Sequence, residues 1–139
     1  MFLSEDDYKA VADDQTLDVI QQSDEETRQK AEKYAIEEIS SYLRSKYNVQ
    51  AAFTATGENR NSQLVMITAD VALYHLVAWL PKKTGFEIRE TRYNNAVNWL
   101  EKAQKGLVTA DLPPLTDEQG NDIGNPIKYG SMPSNKYDY

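Results

Sequence analysis

The sequence predicts an all-α fold, a small antiparallel bundle of about four to five helices with an extended C-terminal arm. Apolar residues recur at helical spacing in several segments, and polar caps precede these segments. Four of the five prolines lie beyond residue 107. We therefore predict a helical domain over residues 1–107 and an extended Pro/Gly-rich arm over residues 108–139. The length of 139 residues suits one domain with a single core.

The central element is the apolar run over residues 64–80, which carries one acid, Asp70, and one imidazole, His75. A membrane-spanning helix needs about 20 apolar residues. An acid at mid-depth would also cost about 2.5–3.5 kcal/mol on insertion scales. We therefore expect no membrane association. The run predicts a core helix that begins behind a Ser62 cap and ends before Pro81.

Before this run, the sequence predicts two short helices and one long helix. Ser4 caps the first short helix, and residues 17–20 form one or two further helical turns. Ser23 and Glu26 match a capping box, in which each side chain bonds the other residue's backbone NH. The long helix that follows is predicted to run to about Tyr47.

The segment 48–61 predicts a loop, because no apolar period is sustained there. Beyond the core helix, Thr84 and Glu87 match a second capping box. The connection between the two helices is therefore very short, which makes them antiparallel neighbours. Gly106 is placed to end the last helix.

The predicted arm over residues 108–139 is too rich in proline and glycine to continue the last helix. It is nevertheless more apolar than a solvating linker. We expect it to order against its own core or against a neighbouring subunit. Its candidate contact residues are Ile127, Tyr129 and Tyr137.

Charge is spread unevenly along the chain, whose net charge is −7. The first 38 residues hold 12 acids and 4 bases, whereas the rest hold 10 acids and 11 bases. Binding of duplex DNA depends on Lys and Arg that neutralise phosphates, so the acidic part argues against DNA recognition. It predicts either a solvated surface or one that repels nucleic acid or docks a basic partner.

The sequence offers little catalytic chemistry. With no cysteine, it has no thiolate zinc ligand and no thiol nucleophile. A zinc site needs three or four convergent ligands, and His75 is the only histidine. Glycine-rich phosphate loops and nucleophile-elbow motifs are also missing from the sequence. We expect no enzyme activity, no cofactor and no metal.

Asp70 is the residue that most needs a partner, because a buried acid is costly unless it is paired. Tyr74, one turn later, is a candidate hydrogen-bond donor, and so are Arg44 and Arg92 from other helices. A structural contact that fixes helix register is the favoured interpretation. The alternative is a hydrolase that uses Asp70 and His75, but five residues place them about 140° apart around the helix.

A basic group surrounds the predicted turn and the start of the last helix: Lys82, Lys83, Arg89 and Arg92. A solvated surface is one interpretation of this group. Contact with the acidic face of an identical neighbour is the other. We therefore count these residues as candidate interface residues.

Four segments occur in an order and spacing that resemble a known family: AIEEISSYL from Ala35, ITADVALYHL from Ile67, RYNNAVNWLEKAQKG from Arg92 and IKYGSMP from Ile127. The pattern resembles the small helical head–tail connector, or adaptor, proteins of tailed phages. These are also called head completion proteins, and the Mu-like branch is the most similar.

The resemblance implies a structural protein of the virion neck, made in the cytoplasm of the bacterial host. Copies would form a ring with identical subunits beneath the portal protein and contact a neck or tail component. DNA would pass through the ring without specific binding. The alternative function is a small helical phage-encoded module that binds or regulates a host protein.

Overall fold

The computed structural model describes residues 1–79, 86–117 and 119. It contains six α-helices: α1 (Glu5–Val11), α2 (Asp14–Gln22), α3 (Glu25–Leu43), α4 (Val49–Thr54), α5 (Ser62–Ala78) and α6 (Phe86–Gln104). An isolated antiparallel bridge pairs Tyr47 with Pro114. The predicted all-α fold is confirmed.

Helix α5 is the axis of the bundle, as its apolar sequence predicts. Its buried residues surround the whole helix and include Leu64, Val71 and Leu76, each 1% exposed or less. A helix that is apolar on every side must be covered on every side. Helices α1, α2, α3 and α6 all contact it. None of the helices in the described part of the chain is long and apolar enough to cross a membrane.

Helices α3 and α5 are antiparallel. Glu38 contacts His75, and four residues earlier on α3, Tyr34 contacts Trp79, which lies four residues later in the chain. Helix α6 packs on both α5 and α3, so each of the three long helices contacts the other two. The predicted turn between α5 and α6, with its Thr84 cap, lies outside the described residues.

Helix α3 begins one residue later than predicted. The Asp24 carboxylate caps it by accepting a hydrogen bond of 2.7 Å from the Thr27 amide. The Ser23 hydroxyl instead donates to the Ile20 carbonyl at 2.8 Å. The predicted capping box of Ser23 and Glu26 is therefore wrong, because Ser23 closes the end of α2 and leaves the cap to its neighbour.

Helix α5 begins one residue earlier than predicted. Asn61 is its cap and accepts a hydrogen bond of 2.9 Å from the Leu64 amide. The Asn61 side chain also donates to the Asp111 carbonyl at 2.9 Å. Serine and asparagine cap helices about equally well. The additional contact favours Asn61, and the predicted Ser62 cap is wrong.

Two other helix ends agree with the sequence. Ser4 and Asp7 form a complete capping box at the start of α1. After α6, Gly106 has a φ of 79°, which glycine adopts without strain. The Leu107 amide then donates to the Lys102 carbonyl at 2.8 Å, the bond typical of a Schellman motif.

The predicted loop over residues 48–61 is wrong, because it contains α4 and a 3₁₀ turn over Gly57–Asn59. The Asn48 side chain caps α4 through the Ala51 amide at 3.1 Å. The Asn48 amide in turn donates to the Pro113 carbonyl at 2.8 Å. The bond from Asn48 to Pro113, which is distant in the sequence, supports a segment whose local pattern favours a loop.

Tyr47 anchors the first part of the predicted arm. Helix α3 ends at Leu43 rather than near Tyr47, which bridges to Pro114 instead. The Tyr47 hydroxyl also accepts a hydrogen bond of 3.1 Å from the Ala110 amide. Residues up to Pro114 therefore contact the chain's own helices. The division of the chain at residue 107 stays a prediction.

Candidate functional site

A buried ion pair joins α5 to α6. Arg92 on α6 donates from Nε to Asp70 Oδ1 at 2.6 Å and from Nη2 to Asp70 Oδ2 at 3.2 Å. Such a two-point contact between guanidinium and carboxylate fixes orientation as well as distance. The Asp70 side chain is 6% exposed, whereas that of Arg92 is 35% exposed. Arg92 is one of the partners that the sequence left open.

Arg89 is the second guanidinium at this contact and is almost fully buried. Its Nη1 lies 3.9 Å from Asp70 Oδ1, and its Nη2 donates to the Val11 carbonyl at 2.9 Å. Arg89 therefore holds the end of α1. The prediction of Arg89 as a surface residue is wrong. Interface roles for Lys82 and Lys83 stay predictions, because both lie outside the described residues.

Burial dominates the electrostatics of this contact. It raises the pKa of Asp70, although the hydrogen bond from Arg92 lowers it, and it lowers the pKa of Arg89. Two guanidiniums nevertheless face one carboxylate. The Asp70 contact thus fixes α5 against α6. We call it a lock, because removal of one charge would leave the opposite charge buried without its partner.

Tyr74 lies beside this lock at the interface of α5 and α6. Its ring stacks on the ring of Tyr93, with centroids 4.0 Å apart and planes 15° apart. The predicted hydrogen bond from Tyr74 to Asp70 stays a prediction. Tyr74 thus adds an aromatic contact between the two helices that the polar contact already joins.

A second polar contact brings together one residue from each long helix. Glu38 on α3 bonds His75 Nε2 on α5 at 2.9 Å, and the Tyr93 hydroxyl on α6 donates to its other carboxylate oxygen. The side chains of Glu38 and His75 are each 24% exposed. The Glu38 contact therefore joins three helices at a half-buried position.

Hydrogen bonding, rather than burial, sets the pKa of Glu38. The bond with His75 lowers that pKa, and this effect exceeds the increase caused by burial. Burial and the neighbouring Glu38 carboxylate both raise the pKa of Tyr93. The carboxylate is therefore the charged form that this contact favours, with the tyrosine hydroxyl as a neutral donor.

The hydrolase alternative required Asp70 and His75 to act together. The structure instead places them in separate contacts, with Arg92 on Asp70 and Glu38 on His75. A search of the described residues found no group of three or more His, Cys, Asp or Glu side chains that could hold a metal ion. Each contact fixes the long helices that it joins relative to one another.

A third set of contacts fixes the N-terminal segment. Arg60 Nη1 donates to the Phe2 carbonyl at 2.8 Å and to Asp7 Oδ2 at 2.6 Å. Burial by itself would raise the pKa of Asp7, but the bonds from Arg60 and Ser4 hold it below its usual value. The buried Glu32 carboxylate also fixes the N-terminal segment, because it accepts a 2.9 Å hydrogen bond from the Phe2 amide.

Sequence reasoning missed Glu32, Glu38 and Arg60 because their partners lie 30 to 58 residues away. The spacing of apolar residues shows which face of a helix is buried, but not which side chain of another element contacts that face. One signal was present for Glu32, which lies three residues before buried Ala35 on the same stripe of α3. An acid on an apolar stripe indicates a buried acceptor.

A comparison with family models relates this chain to known proteins. The model described as Bacteriophage Mu, Gp36 matches residues 2–125, a range that includes all six helices. Comparison with curated proteins finds no match. Comparison with solved structures finds no match either.

Proposed function

Because this chain belongs to the bacteriophage Mu Gp36 family, we propose that it is a structural subunit in the neck of a tailed-phage or prophage virion. Membership makes it a phage structural or morphogenesis protein that is associated with the virion. In the proposed role, copies form a ring between portal and tail and extend the DNA channel. The family match over residues 2–125 is the observation that carries the proposal.

Ring formation requires two different faces on each subunit, because head-to-tail neighbours meet through unlike surfaces. The first 38 residues supply an acidic face whose exposed acids include Glu5, Asp6, Glu25 and Glu26. Exposed bases lie at the end of the last helix, with Lys102 in its last turn and Lys105 directly after it. These opposite charges support contact between neighbouring copies.

An acidic face also suits a channel through which DNA passes. A surface with few free Lys or Arg side chains gains little affinity from phosphate neutralisation. Of the arginines in the later part of the chain, Arg60, Arg89 and Arg92 are all engaged in contacts within the chain. The DNA would therefore slide past the ring without being held.

The polar contacts of α3, α5 and α6 support a mechanical rather than a catalytic role. They hold the three long helices in fixed register, which a subunit needs if it is to keep the same shape in every copy of a ring. We therefore propose no catalysis and no cofactor for this protein.

Electron microscopy of the purified protein mixed with its cognate portal protein tests the proposal. The expected result is an added ring of density on the portal, coaxial with the DNA channel. A protein that stays strictly monomeric and never associates with the portal would contradict the proposed role.

The alternative role, a phage-encoded module that acts on a host protein, makes a different prediction about the genome. A neck subunit should be encoded between the capsid and tail genes. Placement among early or regulatory genes, together with co-purification of one host protein in place of the portal, would favour the alternative.

A further inference from the structure

An apolar groove runs along the first half of α3. Its walls include Met1, Tyr34 and Ile36, and its volume is about 530 Å³. The Tyr34 ring meets the edge of the Trp79 ring at a centroid distance of 5.7 Å. Tyr34 is 50% exposed and Trp79 is 42% exposed. Contiguous exposed apolar side chains of this kind mark an interaction surface.

We propose that residues 123–137 of the same chain dock in this α3 groove. The segment contains Ile127, Tyr129 and Tyr137, together with prolines at positions 126 and 133. Grooves lined by aromatic rings bind proline-containing segments, because proline restricts the chain before binding. This inference goes beyond the proposed neck role and does not depend on ring formation.

Charge favours the α3 groove over the groove between α5 and α6. Residues 123–137 contain two lysines and no acid. The α3 groove is lined by two acids, Glu32 and Glu37, and one base, Lys33, so its lining is net negative. The groove between α5 and α6 contains Asp70 and Arg92, which are paired and leave its lining without net charge to attract a basic segment.

The segment can reach the groove of its own chain. Pro114 pairs with Tyr47, near the end of α3. Helical rise places Tyr34 about 14 Å from Leu43, the last residue of α3, and Tyr47 follows Leu43 by four residues. The nine residues from Leu115 to Ile123 span up to about 30 Å when extended. A short connection gives an effective concentration of about 1 mM, so docking within the chain exceeds docking between copies at micromolar concentration.

Paramagnetic relaxation in the full-length chain tests this docking. The sequence has no cysteine, so Ser131→Cys carries a nitroxide label at one site only. The two tryptophans, Trp79 and Trp99, provide two resolved indole NH signals in a ¹⁵N-labelled sample. We expect the Trp79 signal to lose most of its intensity and the Trp99 signal to keep it.

Two matched variants separate the grooves. Tyr34→Lys in the labelled chain should restore the Trp79 signal, because it places a cation and removes a ring in the α3 groove. Met66→Lys, at a residue that is 43% exposed in the other groove, should leave the Trp79 signal broadened. An unbroadened Trp79 signal in the parent labelled chain, or broadening of Trp99 in its place, would overturn the proposal.

A mixed sample identifies the copy that supplies the segment. Nitroxide-labelled chain without ¹⁵N is combined with ¹⁵N chain that carries no nitroxide. Docking within one chain predicts no broadening of Trp79 in this mixture. If Trp79 broadens as strongly in the mixture as in the chain that carries both nitroxide and ¹⁵N, a second copy fills the groove. That result contradicts docking within the chain.

Discussion

The Asp70 contact and the Glu38 contact both join a carboxylate to α6, yet they differ in burial. The Asp70 side chain is 6% exposed and meets two guanidiniums, whereas that of Glu38 is 24% exposed and meets an imidazole and a phenol. Burial raises the pKa of Asp70, whereas hydrogen bonding lowers the pKa of Glu38. The depth of a carboxylate therefore decides whether desolvation or its partners control its ionisation.

The difference predicts that loss of the Asp70 charge is the most damaging change. Asp70→Asn leaves two guanidiniums without a counter-charge, one of them almost fully buried. Removal of one partner from a buried pair costs about 3–5 kcal/mol. We expect a decrease of that size in the free energy of unfolding, measured by urea denaturation.

The control for Asp70→Asn is Glu101→Gln, which removes an acid from the exposed side of α6. It should change the free energy of unfolding by less than about 0.5 kcal/mol. Equal effects of the two substitutions would show that the Asp70 contact is not a lock.

Loss of Arg92 should cost less than loss of Asp70. Arg92→Met removes two hydrogen bonds to Asp70 but leaves Arg89 beside the carboxylate, and the Arg92 side chain is already 35% exposed. We expect a decrease of about 1–2 kcal/mol in the free energy of unfolding, by the same denaturation assay. A loss larger than that of Asp70→Asn would reverse the assigned roles of the two residues.

Glu38→Gln tests the half-buried contact through pH. The pKa of Glu38 is lower in the folded protein than its ordinary value of 4.5, so its ionised form contributes stability above pH 4.5. That contribution disappears as the pH falls through the folded-state pKa. We expect the parent protein to exceed the Gln variant by about 1 kcal/mol at neutral pH, with the difference shrinking in acid.

A difference between the parent protein and Glu38→Gln that stays constant as the pH falls below 4.5 would contradict this role of the Glu38 carboxylate.

Tyr93→Phe should have the smallest effect. It removes one hydroxyl that donates to Glu38 but keeps the ring that stacks on Tyr74. Glu38 retains its bond with His75 and access to water. We expect a loss of about 0.5 kcal/mol from thermal unfolding, the lower end of the range for one hydrogen bond. Tyr93→Leu, which also removes the stacked ring, should be more destabilising.

The sequence specifies α5 well because its apolar residues cover every side of the helix, and only a core position suits them. The N-cap residue of each helix is harder to predict from the sequence. Neighbouring Ser, Asp and Asn residues compete for one cap, and a distant contact such as Asn61 with Asp111 decides between them. Helix α4 was missed because its cap residue, Asn48, is held by Pro113, which lies far away in the sequence.

The polar contacts were the hardest to predict. Burial of Asp70 follows from its apolar neighbours, but its choice of Arg92 depends on how α6 is rotated against α5. The spacing of residues on α6 likewise does not show that the Tyr93 hydroxyl meets Glu38. Such pairs depend on side-chain directions at helix crossings, which the spacing of residues along one helix does not determine.

Deletion of the gene in the phage that encodes it tests the central claim, a structural role in the neck, most directly. Electron microscopy of the lysate should show heads filled with DNA but without attached tails, and a plasmid copy should restore complete particles. Complete and infectious particles in the absence of the protein would contradict the account.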